Sequence, residues 1–155
     1  MKILLATDGS EFGEEAVREV ARRPWPAGSE LRVVYVVEPV PTPPPEMWSG
    51  SYEDYFAELN LWLRSQARKA LDAATHVLEA REDKTLKVTT ETLTGEPKRA
   101  IPEEAESWGA DLVVVGSHGY GFLNRLILGS VSQAVAAHSP CSVEIVKRRE
   151  ITEGG

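Results

Sequence analysis

Residues 111–132 read DLVVVGSHGYGFLNRLILGSVS, and the order of residue types in this stretch decides how the chain folds. Leu112 to Val115 form a short, unbroken apolar run between Asp111 and Gly116, the pattern of a strand buried on both faces of a parallel sheet. Gly116, Gly119 and Gly121 follow, and Gly129 then introduces Ser130, Ser132 and a helix-compatible run from Val131 to Ala137. Strand, glycine-rich loop and helix N-terminus therefore come in sequence. Such a junction gathers unpaired backbone N–H groups at a positive helix end, which suits an anion such as a phosphate. Glycines let backbone approach a ligand closely and permit positive φ. An ordinary turn would use the same residues, so both readings stand at this level.

The chain on either side repeats the alternation of strand and helix. Lys2 to Thr7 reads as a central strand, and Ser10 caps a helix from about Glu11 to Arg22 whose buried stripe is Ala16, Val17, Val20 and Ala21. Leu31 to Val37 is a second strand. Pro39, Pro41, Pro43, Pro44 and Pro45 then exclude helix and central strand. They make a stiff crossover or, as P-x-x-P, a partner-docking ligand, with Trp48 and Tyr52 expected to pin the loop to the body. Ser51-x-x-Asp54 is a candidate capping box opening a helix to about Ala80. Its apolar positions Phe56, Leu59, Leu63, Ala67, Ala70, Leu71, Ala74 and Leu78 predict one face laid on the sheet. Leu86 to Leu93 alternates as a peripheral strand does. Gly95-Glu96-Pro97 starts a third helix, in which Pro102 predicts a kink or a later start. Cys141 to Val146 is a last strand. The total is five strands and four helices in one domain, residues 1–148, an α/β chain with a parallel sheet covered on both faces. A charged tail, 149–155, is expected to be disordered.

The composition, 42% apolar and 26% charged over 155 residues, is that of a globular protein, and the net charge of −7 with no basic stripe argues against nucleic acid or an anionic membrane as partner. No run reaches membrane-spanning length. The single cysteine, Cys141, excludes an internal disulfide and fits a reducing compartment, so a cytoplasmic location is expected.

The spacing Gly116-x-x-Gly119, nine residues, Gly129-Ser130 resembles the ATP-binding motif of the universal stress protein family. The likeness extends to A-T-D-G-S at 6–10, Y-V-V-E at 35–38, T-G-E-P at 94–97 and S-P-C-S-V-E-I-V at 139–146, and so covers about residues 1–148. It implies a three-layer, adenine-nucleotide α-hydrolase-like fold with strand order 3-2-1-4-5, which makes the first and fourth strands neighbours at the topological switch where ligands bind. Carried over by position, it implies that Ala6, Thr7 and Asp8 line the nucleotide, that the backbone of Val36 reads the adenine edge, and that Val115 and Gly116 lie against ribose. Ser117, His118 and Gly119 would form the loop beside the phosphates. Gly129, Ser130, Val131 and Ser132 would offer N–H groups and hydroxyls to them. ATP with Mg²⁺ is the implied ligand, and a homodimer through residues 142–146 the implied assembly. The chain departs from the family there, where proline is usual at Ser142 and a leucine-like residue at Glu144. A glutamate beside its own copy would repel it.

Each residue has a plainer use. Asp8 and Ser130 could serve as helix caps, His118 as a loop histidine, His76 and His138 as structural residues, Arg125 in a solvated ion pair, and Cys141 as a small apolar residue. Neither G-x-x-x-x-G-K-[ST] nor G-x-G-x-x-G is present, and no nucleophile–base pair is evident. The reading is a nucleotide-dependent stress-response or signalling module rather than an enzyme. A nucleotide-free interaction module, or a slow ATP hydrolase using His118 or Asp8, are the rivals.

Overall fold

In the computed structural model, which describes residues 1–47, 50–119 and 127–148, the strands are β1 (Lys2–Ala6), β2 (Glu30–Val37), β3 (Lys87–Thr94), β4 (Leu112–Gly116) and β5 (Ser142–Val146). The helices are α1 (Glu11–Arg22), α2 (Gly50–Glu79), α3 (Pro97–Trp108) and α4 (Ser130–His138). All pairings are parallel, in the order β3-β2-β1-β4-β5. The three-layer α/β reading and its strand order therefore hold. Residues Trp48, Arg125 and the 149–155 tail lie outside the described residues, and no described helix is long and apolar enough to cross a membrane.

Two cores follow from the period of two along the strands. Ile3, Leu5, Leu31, Val33 and Val114 meet α1 and α2 through Ala16, Val17, Val20, Leu71, Ala74 and Leu78. On the opposite face Leu4, Val34, Val113 and Val115 meet Ile101 and Ala105 of α3 and Val135 of α4. β1 is apolar on both faces because it is the middle strand, whereas β3, at one edge, is largely exposed. The Arg81 guanidinium closes α1, its Nη1 donating to the carbonyls of Val20 (2.9 Å), Ala21 (2.6 Å) and Arg23 (3.0 Å).

Four local expectations change. α2 begins at Gly50, so Ser51 sits inside its first turn rather than at a cap. Only Ala67, Leu71, Ala74 and Leu78 of α2 are buried, while Phe56, Leu59 and Leu63 are half-exposed and Tyr52 is exposed. The reason is length: a 30-residue helix spans about 45 Å and a strand of eight residues about 27 Å, so the first half of α2 overruns the sheet. α3 starts at Pro97 and continues through Pro102 without a late start; Pro102 lacks only the N–H that Lys98 would have received, and its ring is buried. Finally, Glu144 is already paired. Its carboxylate takes a two-pronged ion pair from Arg23, at 2.6 and 2.7 Å, so it is not a bare charge at the β5 edge.

Candidate functional site

The cleft forms where β1 and β4 end side by side and their following chains part to opposite faces. Thr7 N–H still donates to Val34 O at 3.0 Å, but β2 runs on to Val37. By the two-residue alternation, the backbone edge of Val36 points the same way as that of Val34, past the end of β1. Adenine-like edges could pair there.

At the β1 end the chain turns through Gly9, whose φ of 75° requires glycine. Asp8 Oδ1 accepts from Ser10 N–H (2.9 Å), Thr7 Oγ1 from Gly9 N–H (3.2 Å), and Ser10 Oγ caps α1 by accepting from Gly13 N–H (3.2 Å). Asp8 thus both shapes the turn and faces the cleft. A Cβ on Gly119 would stand 2.9 Å from its Oδ2. One on Gly13 would stand 2.7 Å from Thr7 Oγ1 and 3.0 Å from Asp8 Oδ1. Glycine at 13 is what lets the first turn of α1 lie against the β1 end.

Across the cleft, Gly129 is the N-cap of α4, with φ −61°, and its N–H donates to Ser117 O at 2.8 Å. Ser130 is the first residue of α4 and caps nothing. The first intrahelical bond is Gln133 N–H to Gly129 O, so the N–H groups of Ser130, Val131 and Ser132 have no partner within the helix. Three donors and the positive end of the helix dipole face the cleft together. Neither Gly119 nor Gly129 takes a positive φ. They are needed for close approach alone, since a Cβ on Gly129 would lie 3.2 Å from both His118 Cα and Ser117 O.

The cleft measures about 420 Å³. Ala6, Thr7, Asp8, Val36, Val115, Gly116, His118, Gly119, Gly129, Ser130, Val131 and Ser132 line it. Ser117 alone of the residues carried over does not. It is 2% exposed, and its groups hold the junction together: N–H to Val146 O (2.9 Å), O from Gly129 N–H and from Ser132 Oγ (2.9 Å), Oγ to His118 Nδ1 (2.9 Å). Ser132 likewise spends its hydroxyl on Ser117 O, leaving only its N–H for a ligand. His118, 8% exposed, has both ring nitrogens engaged, Nδ1 with Ser117 Oγ and Nε2 with Ile127 O. A carbonyl only accepts, so Nε2 carries the proton. The ring also meets Phe12 with centroids 4.9 Å apart.

The lining further includes Gly13, Val34, Tyr35, Glu38, Pro97 and Ile101. Glu38 and Pro97 fall inside the quoted Y-V-V-E and T-G-E-P motifs, so their position was open to inference. Gly13 gave a signal too, as a glycine inside a helix, where it is unfavourable unless something approaches closely. Val34 and Ile101 are buried core residues whose place in the floor of the cleft no pattern reveals. Among the described lining residues there is no lysine or arginine. His76 is exposed on α2 and His138 bonds Ala134 O (2.8 Å) near the end of α4; neither lines the cleft. Burial, aided by the charge of Asp111, pushes the Cys141 thiol up from its ordinary value, in keeping with an inert apolar role.

Comparison with known sequences gives the lineage. The universal stress protein family profile matches residues 1–147. This chain belongs to the universal stress protein family. A universal stress protein of Thermus aquaticus is 36% identical over 146 residues, covering 94% of this chain and 97% of that protein. Among solved structures, the hypothetical protein MJ0577 superposes with a TM-score of 0.79 at 30% identity, covering 96% of each chain. An Arabidopsis thaliana universal stress protein family member with AMP bound shares the fold, with a TM-score of 0.65 at 18% identity over 97% of this chain and 93% of that one.

Proposed function

We propose that this universal stress protein binds ATP with Mg²⁺ in the β1/β4 cleft and acts as a cytoplasmic, nucleotide-dependent stress-response or signalling module. One observation carries the reading: the free edge of Val36 and the three unpaired N–H groups of α4 open into the same cleft. An apolar wall of Val34, Val36, Ile101, Val115 and Val131 suits a base and sugar, and the α4 end suits phosphates. That volume lies in the usual range for small-ligand sites, about 300–1,000 Å³. The relative with AMP bound is a precedent for an adenine nucleotide on this fold.

Mg²⁺ enters by charge. Asp8 and Glu38 line the cleft and no described cation does, so a triphosphate beside Asp8 needs a divalent ion to offset repulsion. Asp8 is the protein residue best situated to hold that ion or its water.

The engagement of both His118 nitrogens favours binding over turnover, since a general base needs a free lone pair aimed at the attacking water. We further propose a homodimer through β5, an edge strand whose Val143 and Ile145 are only partly covered. Denaturing freshly purified protein and weighing any released nucleotide by mass spectrometry, then titrating nucleotide-free protein with ATP, ADP and AMP by calorimetry, tests the ligand. Release of an adenine nucleotide and tightest binding of Mg-ATP are expected. Nucleotide-free protein that binds none of the three overturns the reading.

A further inference from the structure

Glu38 has no task in the fold. It is exposed, lines the β1/β4 cleft beside Pro97 and Ile101 of α3, and makes no ion pair or hydrogen bond among the described residues. Where it stands relative to a ligand follows from the pairing of β2. Even-numbered residues of β2 turn their backbone groups to β1: Glu30 N–H donates to Met1 O at 2.9 Å, and Val34 O accepts from Thr7 N–H at 3.0 Å. Odd-numbered residues turn to β3: Ser29 O accepts from Lys87 N–H at 3.1 Å, and Val37 O from Gly95 N–H at 3.0 Å. Val36 therefore turns both its N–H and its C=O toward the β1 side, past Ala6 and Val34, the last paired residues there.

Along the chain the C=O of a residue follows its N–H, so the Val36 acceptor is the group nearer Glu38. A base that pairs with this edge gives a ring acceptor to the N–H and an amino hydrogen to the C=O. Its amino group then lies on the Glu38 side, and the second amino hydrogen points away from the ring acceptor, toward Glu38. A carboxylate only accepts, so it suits that hydrogen. The other acid of the cleft, Asp8, is set apart from Glu38 at the glycine loop, where a Cβ on Gly119 would meet its Oδ2.

We infer that Glu38 selects a 6-aminopurine, by accepting the amino hydrogen that the Val36 carbonyl leaves over. The inference rests on the nucleotide reading above and names the feature of the base that the site requires. A 6-oxopurine turns an oxygen toward both the Val36 carbonyl and the Glu38 carboxylate, so acceptors face acceptors with no proton between them. A charged acceptor strengthens the bond to an amino group, while exposure to water keeps the gain modest.

The test titrates the full chain by calorimetry, as wild type, Glu38→Ala and Glu38→Gln, with the magnesium forms of four ligands. These are ATP, ITP, purine riboside 5′-triphosphate, which lacks the amino group, and 2′-deoxy-ATP. Removing the charge of Glu38 raises affinity for every triphosphate alike, so the readout is the ratio of two affinities, in which that gain cancels. Wild type is expected to prefer ATP to purine riboside triphosphate, and Glu38→Ala to shrink that preference about fivefold. Glu38→Gln, whose amide can donate to an oxygen, should narrow the preference for ATP over ITP by about the same factor. The ratio of ATP to 2′-deoxy-ATP should stay the same in all three forms. Circular dichroism should show both variants melting with wild type, since Glu38 is exposed and unpartnered. Base ratios that neither substitution moves, or a change in the 2′-deoxy-ATP ratio instead, overturn the inference and leave nucleotide binding standing. A wild type that binds none of the four overturns both.

Discussion

Gly116 ends β4 and Gly119 lies three residues beyond it, yet substituting each with alanine is expected to break different things. A Cβ on Gly116 would lie 2.6 Å from Phe12 O and 2.7 Å from Phe12 C, about 1 Å inside ordinary contact. Both are backbone atoms of the first turn of α1, so no rotamer can yield and β4 must part from α1. Overpacking of this kind costs about 2–3 kcal/mol, and the lost freedom of the unfolded chain returns at most about 1 kcal/mol. For a chain of this size the net loss of about 1–3 kcal/mol should lower the melting point by about 2–12 °C. At Gly119 the added Cβ meets only Asp8 Oδ2, at 2.9 Å, the end of a side chain that can rotate. Stability should stay within about 0.5 kcal/mol of wild type. Ligand binding should not, because the methyl and the displaced carboxylate both enter the cleft; a loss of at least tenfold in ATP affinity, about 1.4 kcal/mol, is expected. Scanning calorimetry without nucleotide and titration calorimetry with Mg-ATP separate the two. A Gly116→Ala protein that melts with wild type, or a Gly119→Ala protein that binds ATP unchanged, refutes the reasoning. Gly129→Val is a poorer probe, since its side chain would press on the backbone of Ser117 and His118 as well as on a phosphate.

Steady-state ATP turnover should lie far below the roughly 1–10³ s⁻¹ of ordinary enzymes; a rate of several per second lost in His118→Ala moves the protein into the enzyme class. Asp8→Asn keeps the acceptor for Ser10 N–H and removes the charge, so it should lower Mg-ATP affinity about tenfold while leaving magnesium-free ATP unharmed, as titrations with and without chelator would reveal. The raised Cys141 pKa leaves less thiolate at neutral pH, so alkylation should be slower than for a free thiol and gain on it only as pH rises past the ordinary cysteine range. At the β5 edge, Arg23→Ala leaves Glu144 uncompensated and should favour monomer in light scattering at tens of micromolar, whereas Glu144→Leu, which removes an already paired charge, should tighten the dimer little.

The fold was legible because its signals were redundant. β1 and β4 are short β-branched or leucine runs with no alternation, which only a strand buried on both sides tolerates, and β3 alternates because one of its sides meets water. Helix ends were less so. The spacing of Ser51 and Asp54 fits a cap, but a cap is decided by where the preceding backbone leaves the helix, and sequence spacing does not record that. The length of α2 was readable and its consequence was not: periodicity says which face is apolar, never whether anything lies beneath it.

The site divides the same way. Backbone roles read well, since glycine spacing and the order of strand and helix report where chain can approach a ligand, and all four of Gly116, Gly119, Gly129 and Val36 line the cleft. Side-chain roles read poorly. A serine or histidine beside a phosphate motif looks the same in sequence whether its polar atoms face the ligand or the protein. Ser117, Ser132 and His118 use theirs to tie the end of β4 to α4 and to Ile127 just before it, at separations of up to fifteen residues in the chain. Such ties serve the site indirectly, because the three N–H groups of α4 can converge on an anion only if α4 is held at a fixed distance from the end of β4. Removing the Ser132 hydroxyl, which donates to Ser117 O, should therefore loosen the donors without touching them, and its effect on ATP affinity should exceed any effect of removing the exposed hydroxyl of Ser130.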